Sequence, residues 1–341
     1  MLTQSLAVKY RPTKFEDVVE QGSTITILQE QLKNNSVKHS YLFCGGAGTG
    51  KTTCARIFAD RINKGEGVPV EMDAASNNGV DDVRDIIDQA QTQSLDSEYK
   101  VFIIDECHSL SNNAWQSMLK LIEEPPEKSI FIFCTTDPQK IPDTIISRVQ
   151  RYDFQRISQQ GIVDRLCYVL SLEQKENHDI EVGVGALDYL AKQAQGGMRD
   201  ALTMLDKCLS YSHNLTVETI VTALGVANYD EMFKLLESIK HGDNLTVIEI
   251  IENLYMSGID LKYFMRQFQD FILDILKFYH TGNYDFIKIP STYKLEDEKV
   301  TETEFNLLPR LVEINASIRW ETDPKYRVEA ELLIFIRENE K

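Results

Sequence analysis

The chain from residue 40 to residue 154 alternates short apolar runs with segments of helical periodicity. The predicted strands span residues 40–44, 70–73, 100–104, 129–134 and 149–154. Continuous apolar runs separated by helices are typical of a parallel sheet that is covered by helices on both faces. Several runs are followed directly by polar residues, and open α/β sheets bind ligands at the carboxyl ends of their strands. The pattern therefore predicts an α/β fold with its functional site at that edge of the sheet.

Beyond residue 155 the strand signal ends and helical periodicity takes over. Ser158 is a predicted helix N-cap, and an apolar stripe further on has the spacing of a packed helix face. The residues of that stripe are Leu261, Phe264, Met265, Phe268, Ile272 and Ile275. The organisation predicts an α/β domain at 1–155, a small helical domain at 156–222 and an all-helical domain at 223–341, with a loop at 281–300.

A glycine-rich segment follows the first predicted strand. It consists of Gly45, Gly46, Ala47, Gly48, Thr49, Gly50, Lys51 and Thr52, with Thr53 next in the helix behind it. Glycines let a triphosphate approach the backbone N–H groups of the loop and of the helix N-terminus. Lys51 would reach the β- and γ-phosphates, and the Thr52 hydroxyl would bind Mg²⁺. The segment predicts a P-loop for a nucleoside triphosphate, the alternative being a simple glycine-rich turn.

Polar groups also end two later strands. The strand 101–104 is followed by Asp105, a candidate Mg²⁺ carboxylate, and by Glu106, which could polarise the attacking water. The strand 130–134 is followed by Thr135 and Thr136, whose hydroxyls could sense the γ-phosphate or hold the water. His108 lies nearby, and a partly exposed loop histidine is the preferred interpretation over a catalytic one.

Two arginines are candidates for neutralising charge on a transferred phosphoryl group, one of them supplied by a neighbouring subunit. Arg148 follows Ser147, and Arg199 lies in the segment Gly197-Met198-Arg199-Asp200. Considered singly, each arginine would be interpreted as one half of a surface ion pair.

Composition and charge limit the alternatives. The 341 residues are 43% hydrophobic and 26% charged, which is ordinary for soluble globular domains. No apolar run approaches the roughly 18 residues of a membrane span, and no signal peptide is evident. We therefore expect a cytoplasmic, soluble protein without membrane contact. The six scattered cysteines are interpreted as reduced core residues, not as disulfides or zinc ligands.

The formal charge of −17 gives the whole chain no general attraction to nucleic acid. Any contact with DNA must therefore be local. The helix that follows Asn112 and Asn113 could offer backbone N–H groups to a DNA phosphate. The alternative interpretation is a sheet-covering helix that buries Trp115, Met118 and Leu119.

Taken in order, the motifs carry a specific resemblance. They are Lys9-Tyr10-Arg11-Pro12, the P-loop, Asp73-Ala74-Ala75-Ser76-Asn77, Asp105-Glu106-Cys107-His108, Leu121-Ile122-Glu123-Glu124-Pro125-Pro126, Thr135-Thr136-Asp137-Pro138-Gln139-Lys140, Ser147-Arg148 and Gly197-Met198-Arg199-Asp200. This series resembles the gamma/tau motor subunits of bacterial DNA polymerase III, which are AAA+ clamp-loader ATPases. The match covers residues 5 to about 210 and, more loosely, the helical remainder.

The resemblance implies a role for each matching residue. Asp105 and Glu106 resemble the Walker B pair, Thr136 the first sensor, Arg199 the second sensor of the same subunit, and Arg148 the finger that reaches a neighbour's ATP. The adenine-side wall is similar at Ala7, Tyr10, Arg11, Pro12, Val18 and Val19.

The resemblance also implies partners: other clamp-loader subunits in a ring, commonly of five, a sliding clamp and primer–template DNA. ATP and Mg²⁺ are the implied cofactors. Residues 63–72 lack the cysteines of the family's zinc module, so no zinc is expected, and Glu20 stands where a glycine is common. A compact or virus-encoded version would fit the missing module and the end of the chain at Lys341.

Three other functions stay open at this point. A catalytically silent clamp-loader subunit would share the fold, although it has no need of Lys51, Thr52, Asp105 and Glu106 together. A branch-migration helicase would carry a DNA-binding winged helix in the last third of the chain, which instead has a helical pattern. A small-molecule kinase would show a motif for an acceptor substrate, and none is evident.

Overall fold

The computed structural model describes residues 4–92, 94, 96–176, 179–225 and 229–339. The chain divides into two compact units. The first comprises the residues up to Asp179 together with Leu190–Asp206, and the second comprises Ile180–Tyr189 together with the residues from Lys207 onward. The predicted three-domain division stays a prediction.

The first unit is built on a five-stranded parallel sheet. Its strands are β1 (Ser40–Gly45), β2 (Val70–Asp73), β3 (Lys100–Asp105), β4 (Ser129–Thr135) and β5 (Gln150–Phe154). The spatial order is β2-β3-β4-β1-β5 and every pairing is parallel. The five predicted strands and the α/β fold class are confirmed. Because all strands run the same way, the P-loop after β1 and the carboxylates at the end of β3 lie at one edge.

Among the described residues, seven helices lie wholly within this unit. They are α1 (Leu6–Lys9), α2 (Gly22–Lys33), α3 (Lys51–Ile62), α4 (Val80–Ala90), α5 (Asn112–Glu123), α6 (Asp143–Ile146) and α7 (Gln159–Glu176). Short 3₁₀ turns occupy Phe15–Asp17, Cys107–Ser109 and Pro138–Lys140. The Ser158 hydroxyl accepts a hydrogen bond from the Gly161 N–H at 3.0 Å, which confirms the predicted N-cap of α7.

Alternate side chains of each strand enter opposite cores, as a sheet covered on both faces requires. Phe131 and Phe133 of β4 pack with the residues of α4 and α5. Ile130 and Ile132, on the other face, pack with those of α2 and α3. The two layers hold the ends of β1, β3 and β4 in fixed register.

Helix α5 belongs to the first of these cores. Ser111 accepts a hydrogen bond from the Ala114 N–H at 3.2 Å and caps the helix. Trp115 and Met118 are buried and Leu119 packs against the same core. The interpretation of α5 as a sheet-covering helix is confirmed, and its contact with DNA stays a prediction.

Helices dominate the second unit. They are α10 (Val217–Leu224), α11 (Tyr229–Lys240), α12 (Asn244–Met256), α13 (Leu261–Thr281), α14 (Glu302–Ile318) and α15 (Lys325–Asn339). Two more, α8 (Ala186–Gln193) and α9 (Met198–Tyr211), run across the division between the units. The predicted stripe of α13 is buried. The predicted loop after it contains the 3₁₀ turns Tyr284–Phe286, Ser291–Tyr293 and Leu295–Asp297.

The expectation of no strand beyond residue 155 is wrong in one place. The two-residue strands β6 (Glu181–Val182) and β7 (Asn214–Leu215) pair in parallel within the second unit. Two residues are too few to show the alternation by which a strand is detected in a sequence. Within the part of the chain that the structure describes, no helix is both long and apolar enough to cross a membrane.

All six cysteines are free thiols, and five of them are buried. Burial raises the pKa of the Cys44 and Cys208 thiols to about 11. Cys167 is exposed on α7, so the interpretation of every cysteine as a core residue is wrong there. The helical pattern around it does not show by itself which face of α7 is turned to solvent.

The exposed thiol should react alone in the folded protein. At pH 8, a disulfide reagent that releases a coloured thiolate should titrate one thiol quickly, because the thiolate is the nucleophile and burial suppresses it elsewhere. In denaturant it should titrate six. Cys167→Ser should remove the fast phase, whereas Cys208→Ser, the matched control, should leave it intact. A second fast thiol would contradict the burial pattern.

Candidate nucleotide-binding site

A cavity of about 310 Å³ opens at the carboxyl edge of the sheet, within the first unit. Sixteen predicted residues line it: Ala7, Tyr10, Arg11, Pro12, Val18, Val19, Ala47, Gly48, Thr49, Gly50, Lys51, Thr52, Thr53, Asp105, Glu106 and Arg199. Five unpredicted ones join them: Ile157, Arg165, Met198, Asp200 and Leu202. The volume is in the range of small-ligand sites, which begins at about 300 Å³.

The P-loop takes a backbone shape that requires glycine. Gly48 has a φ of +70° and Gly50 a φ of +99°, both left-handed. A Cβ atom on Gly48 would lie only 3.0 Å from the Gly197 Cα. The Met198 N–H donates to the Gly48 carbonyl at 3.0 Å. The loop therefore touches the segment that carries Arg199, backbone against backbone.

Lys51 is the buried cation of the cavity. Its ammonium group donates to the carbonyls of Gly45 at 3.0 Å and Gly46 at 2.8 Å. Burial lowers the pKa of Lys51, because a charged amine loses hydration there. These two carbonyls keep Lys51 within the loop that would surround a phosphate.

A hydroxyl and a carboxylate meet beside the loop. The Thr52 hydroxyl donates to Asp105 Oδ2 at 2.8 Å, and Asp105 Oδ1 accepts from the Glu106 N–H at 3.0 Å. Mg²⁺ prefers oxygen ligands of this kind and keeps several waters. The donor set therefore fits Mg²⁺, which Thr52 and Asp105 would hold as predicted.

Glu106 is turned away from Asp105 by a left-handed backbone, with φ at +46°. Such a conformation in a residue other than glycine costs about 1–3 kcal/mol. Glu106 Oε2 accepts from the Thr136 hydroxyl at 2.9 Å and lies 3.3 Å from His108 Nδ1. His108 Nδ1 is also 3.1 Å from the Thr135 hydroxyl. The side chains from β4 and the following turn therefore orient the predicted base.

His108 is a loop residue, as the sequence indicated, and it also contacts the predicted base. It lies in a short 3₁₀ turn, as a loop residue would, yet its ring contacts Glu106. The only sequence feature that indicates this contact is that His108 lies two positions after Glu106. Arg165 was not predicted from the sequence: its guanidinium donates to the Tyr10 carbonyl at 2.9 Å from more than a hundred residues away along the chain.

Arg148 does not line the cavity of its own chain. It is exposed just after α6, where its Nε lies 2.7 Å from Glu123 Oε1 and its Nη1 donates to the Thr144 carbonyl at 2.7 Å. The surface ion pair considered from sequence is therefore present. An arginine in this position cannot serve the local cavity, and its role toward a neighbour stays a prediction.

Three family models match consecutive parts of the chain. "DNA polymerase III, delta subunit" matches residues 68–158, "DNA polymerase III clamp loader subunit, ATPase lid domain" residues 161–214, and "DNA polymerase III subunits gamma and tau domain III" residues 215–303. DNA polymerase III subunit tau of Bacillus subtilis is 36% identical over 95% of this chain. The chain is similar to DNA polymerase III clamp-loader subunits over most of its length.

The chain spans only part of the length of the relatives that it matches. It spans 62% of the Bacillus subtilis protein. The tau subunit of Escherichia coli is 33% identical over 76% of the chain, which covers 43% of that protein. The family resemblance stated from the motifs is confirmed.

Solved structures support the fold. The RuvB Holliday junction branch migration motor of Thermotoga maritima superposes with a TM-score of 0.51 at 19% identity, covering 74% of this chain and 86% of that one. At this identity the likeness concerns the fold alone. It supports the arrangement of a parallel sheet followed by helices.

The backbone contact at Gly48 predicts a stability difference between two alanine variants. Gly65 also has a left-handed φ, +87°, but no atom of the described residues lies within 4 Å of its Cβ position. Gly65→Ala should lower the free energy of unfolding by about 1–2 kcal/mol. Gly48→Ala should lower it further, because its methyl group also meets Gly197.

Urea denaturation of the two variants and of the wild-type protein measures this difference. Gly65→Ala is the matched control for backbone strain, since it lacks the steric contact. Equal losses in the two variants would show that the loop does not touch the segment at Gly197.

Proposed function

We propose that this chain is an ATP-driven motor subunit of a loader for a sliding clamp. The observation that carries the proposal is one cavity, in a chain similar to clamp-loader subunits, at which Lys51, the Thr52–Asp105 pair, Glu106 and Arg199 converge. A phosphate site, a metal site, a base and a cation in one place are the parts that phosphoryl transfer to water needs.

Binding is the task of the P-loop and the wall opposite it. The loop N–H groups and Lys51 take the phosphates, and Val18 and Val19 line the side expected for adenine. Thr52 and Asp105 would hold Mg²⁺, which would neutralise charge on the phosphate oxygens. Arg199 approaches the same phosphates from the segment that rests on Gly48.

Turnover is the task of Glu106. Its carboxylate orients a water molecule whose oxygen attacks the γ-phosphorus while the bond to the β–γ bridging oxygen breaks. Glu106 accepts the proton of that water. Thr136, which holds Glu106 at 2.9 Å, sets the direction of the carboxylate and reports whether the γ-phosphate is present.

Arg148 completes the site of an adjacent subunit. Because it lies outside its own cavity, hydrolysis requires a ring in which each finger reaches the next nucleotide. The ring contains other clamp-loader subunits, commonly five in all. ATP binding lets it hold and open the clamp, primer–template DNA enters, and hydrolysis releases the closed clamp.

The rival functions have less support. A silent subunit would not require the Thr52–Asp105 and Thr136–Glu106 hydrogen bonds, both of which are formed. A branch-migration helicase would have a winged helix after the motor. Among the described residues of the second unit, the only strands are the two-residue pair β6 and β7, too short for a wing.

Steady-state ATP hydrolysis by the purified chain tests the proposal. The assay is run alone and with clamp-loader partner subunits, with and without sliding clamp and primer–template DNA. Stimulation by clamp and DNA together supports the loader. Hydrolysis that ignores both would indicate another AAA+ motor, and no hydrolysis with any partner would indicate a silent subunit.

Two substitutions should separate binding from turnover. Lys51→Ala should weaken ATP binding about 10- to 100-fold, because a charged hydrogen-bond donor to phosphate is lost. Glu106→Gln should bind ATP normally and lower kcat about 100-fold or more, because the general base is lost. Calorimetric titration and a phosphate-release assay measure the two effects. Glu66→Gln, an exposed loop carboxylate, is the control and should hydrolyse normally.

Arg148→Ala should bind ATP and fail to hydrolyse it, because the finger acts on a neighbour. In a mixture with Lys51→Ala chains, which keep their finger, part of the activity should return. Arg84→Ala, on the exposed face of α4, is the control and should be active alone. Normal hydrolysis by Arg148→Ala alone would contradict a finger shared between subunits.

A further inference from the structure

Two consecutive residues beside the predicted adenine-side wall of the cavity have left-handed backbones. Glu20 has a φ of +58° and Gln21 a φ of +59°. Neither is glycine, so each conformation is unfavourable by itself and persists only where surrounding contacts hold it. The segment directly follows Val18 and Val19, which line the cavity.

Four side-chain hydrogen bonds join this segment to the chain between β5 and α7. The Glu20 carboxylate accepts from the Ser158 N–H at 2.9 Å and from the Ser158 hydroxyl at 2.5 Å. The Gln21 side chain donates to the Gln155 carbonyl at 2.8 Å and accepts from the Gln155 N–H at 3.0 Å. Two neighbouring side chains therefore fix both ends of residues 155–158 with four hydrogen bonds.

The first turn of α7 packs directly on the same residues. A Cβ atom on Gly161 would lie 2.8 Å from Glu20 Oε1 and 3.1 Å from Val19 Cγ1. Only glycine allows this approach without a shift of either neighbour. A carboxylate at a helix N-terminus is also electrostatically favourable. Glu20 therefore connects the adenine-side wall, at Val19, with the start of α7.

The segment that Glu20 holds leads on to Arg199. The Ile157 N–H donates to the Gly196 carbonyl at 3.1 Å, and Ile157 itself lines the cavity. Two residues further, the Met198 N–H donates to the Gly48 carbonyl at 3.0 Å, and Arg199 follows. Backbone hydrogen bonds thus run from the residue beside Ser158 to the segment that places Arg199 over the P-loop.

We infer that Glu20 is a positioning residue of the nucleotide site, which fixes the start of α7 and thereby the place of Arg199 relative to the P-loop. The inference rests on the proposed function. It assigns Glu20 no contact with nucleotide: it acts through Ser158 and Ile157. Because Arg199 would contact the terminal phosphate, Glu20 should affect ATP more strongly than ADP.

The test compares the affinities for a non-hydrolysable ATP analogue and for ADP by calorimetric titration. Glu20→Gly removes the carboxylate and relieves the left-handed backbone, so a loss of affinity cannot be attributed to strain. In Glu20→Gly, the affinity for the ATP analogue divided by the affinity for ADP should fall about fivefold. Glu20→Gln, which keeps an acceptor for the Ser158 hydroxyl, should recover part of it.

Two further variants complete the design. Ser158→Ala should lower the ratio as well, and its combination with Glu20→Gly should be no worse than Glu20→Gly alone, because residues in direct contact are not additive. Asn35→Gly is the matched control: Asn35 is exposed after α2 with a φ of +47°. It should leave the ratio unchanged.

Hydrogen exchange without nucleotide gives an independent readout. In Glu20→Gly the amides at 158–162 should exchange about fivefold faster, whereas Asn35→Gly should leave them unchanged. Faster exchange with an unchanged ratio of affinities would show that Glu20 only caps α7. That result would overturn this inference and leave the proposed function intact. If the unchanged protein binds no ATP, the proposed function fails, and the inference fails with it.

Discussion

The approach of Gly48 to Gly197 is the constraint on which the site depends. The P-loop must be open enough to surround a phosphate, yet its outer side rests on another backbone with no side chain between them. The hydrogen bond from Met198 to Gly48 fixes this distance. Contacts within the protein therefore hold the loop and the Arg199 segment against each other, which would lower the conformational entropy lost when a nucleotide binds.

The end of β3 shows how one strand can supply two adjacent carboxylates with different hydrogen-bond partners. Asp105 keeps the strand geometry and meets Thr52, whereas Glu106 rotates into a left-handed conformation and meets Thr136. Side chains that alternate along a regular strand would not place both at the same ligand. The local strain at Glu106 therefore produces an arrangement that regular β-structure could not.

The sequence predicts most of the sheet and much of the site, because both have short-range signatures. Apolar runs locate the strands, and spacing locates the P-loop and the Asp105–Glu106 pair. Long-range residues such as Ile157 and Arg165 have no local signature, since only the folded chain brings them to the cavity. Exposure of Cys167 depends on which face of α7 packs, and β6 and β7 are too short for any period.

The ion pair between Arg148 and Glu123 has a consequence for assembly. A long, free side chain loses up to about 2 kcal/mol of rotamer entropy when it is fixed. Here Glu123 and the Thr144 carbonyl have already restricted the guanidinium. An exposed pair of this kind contributes only about 0–1 kcal/mol. Breaking it so that Arg148 can contact another group therefore costs little free energy. In the proposed ring, each chain would thus present to its neighbour an arginine that is already ordered and only weakly held, which suits a contact that is made and broken repeatedly.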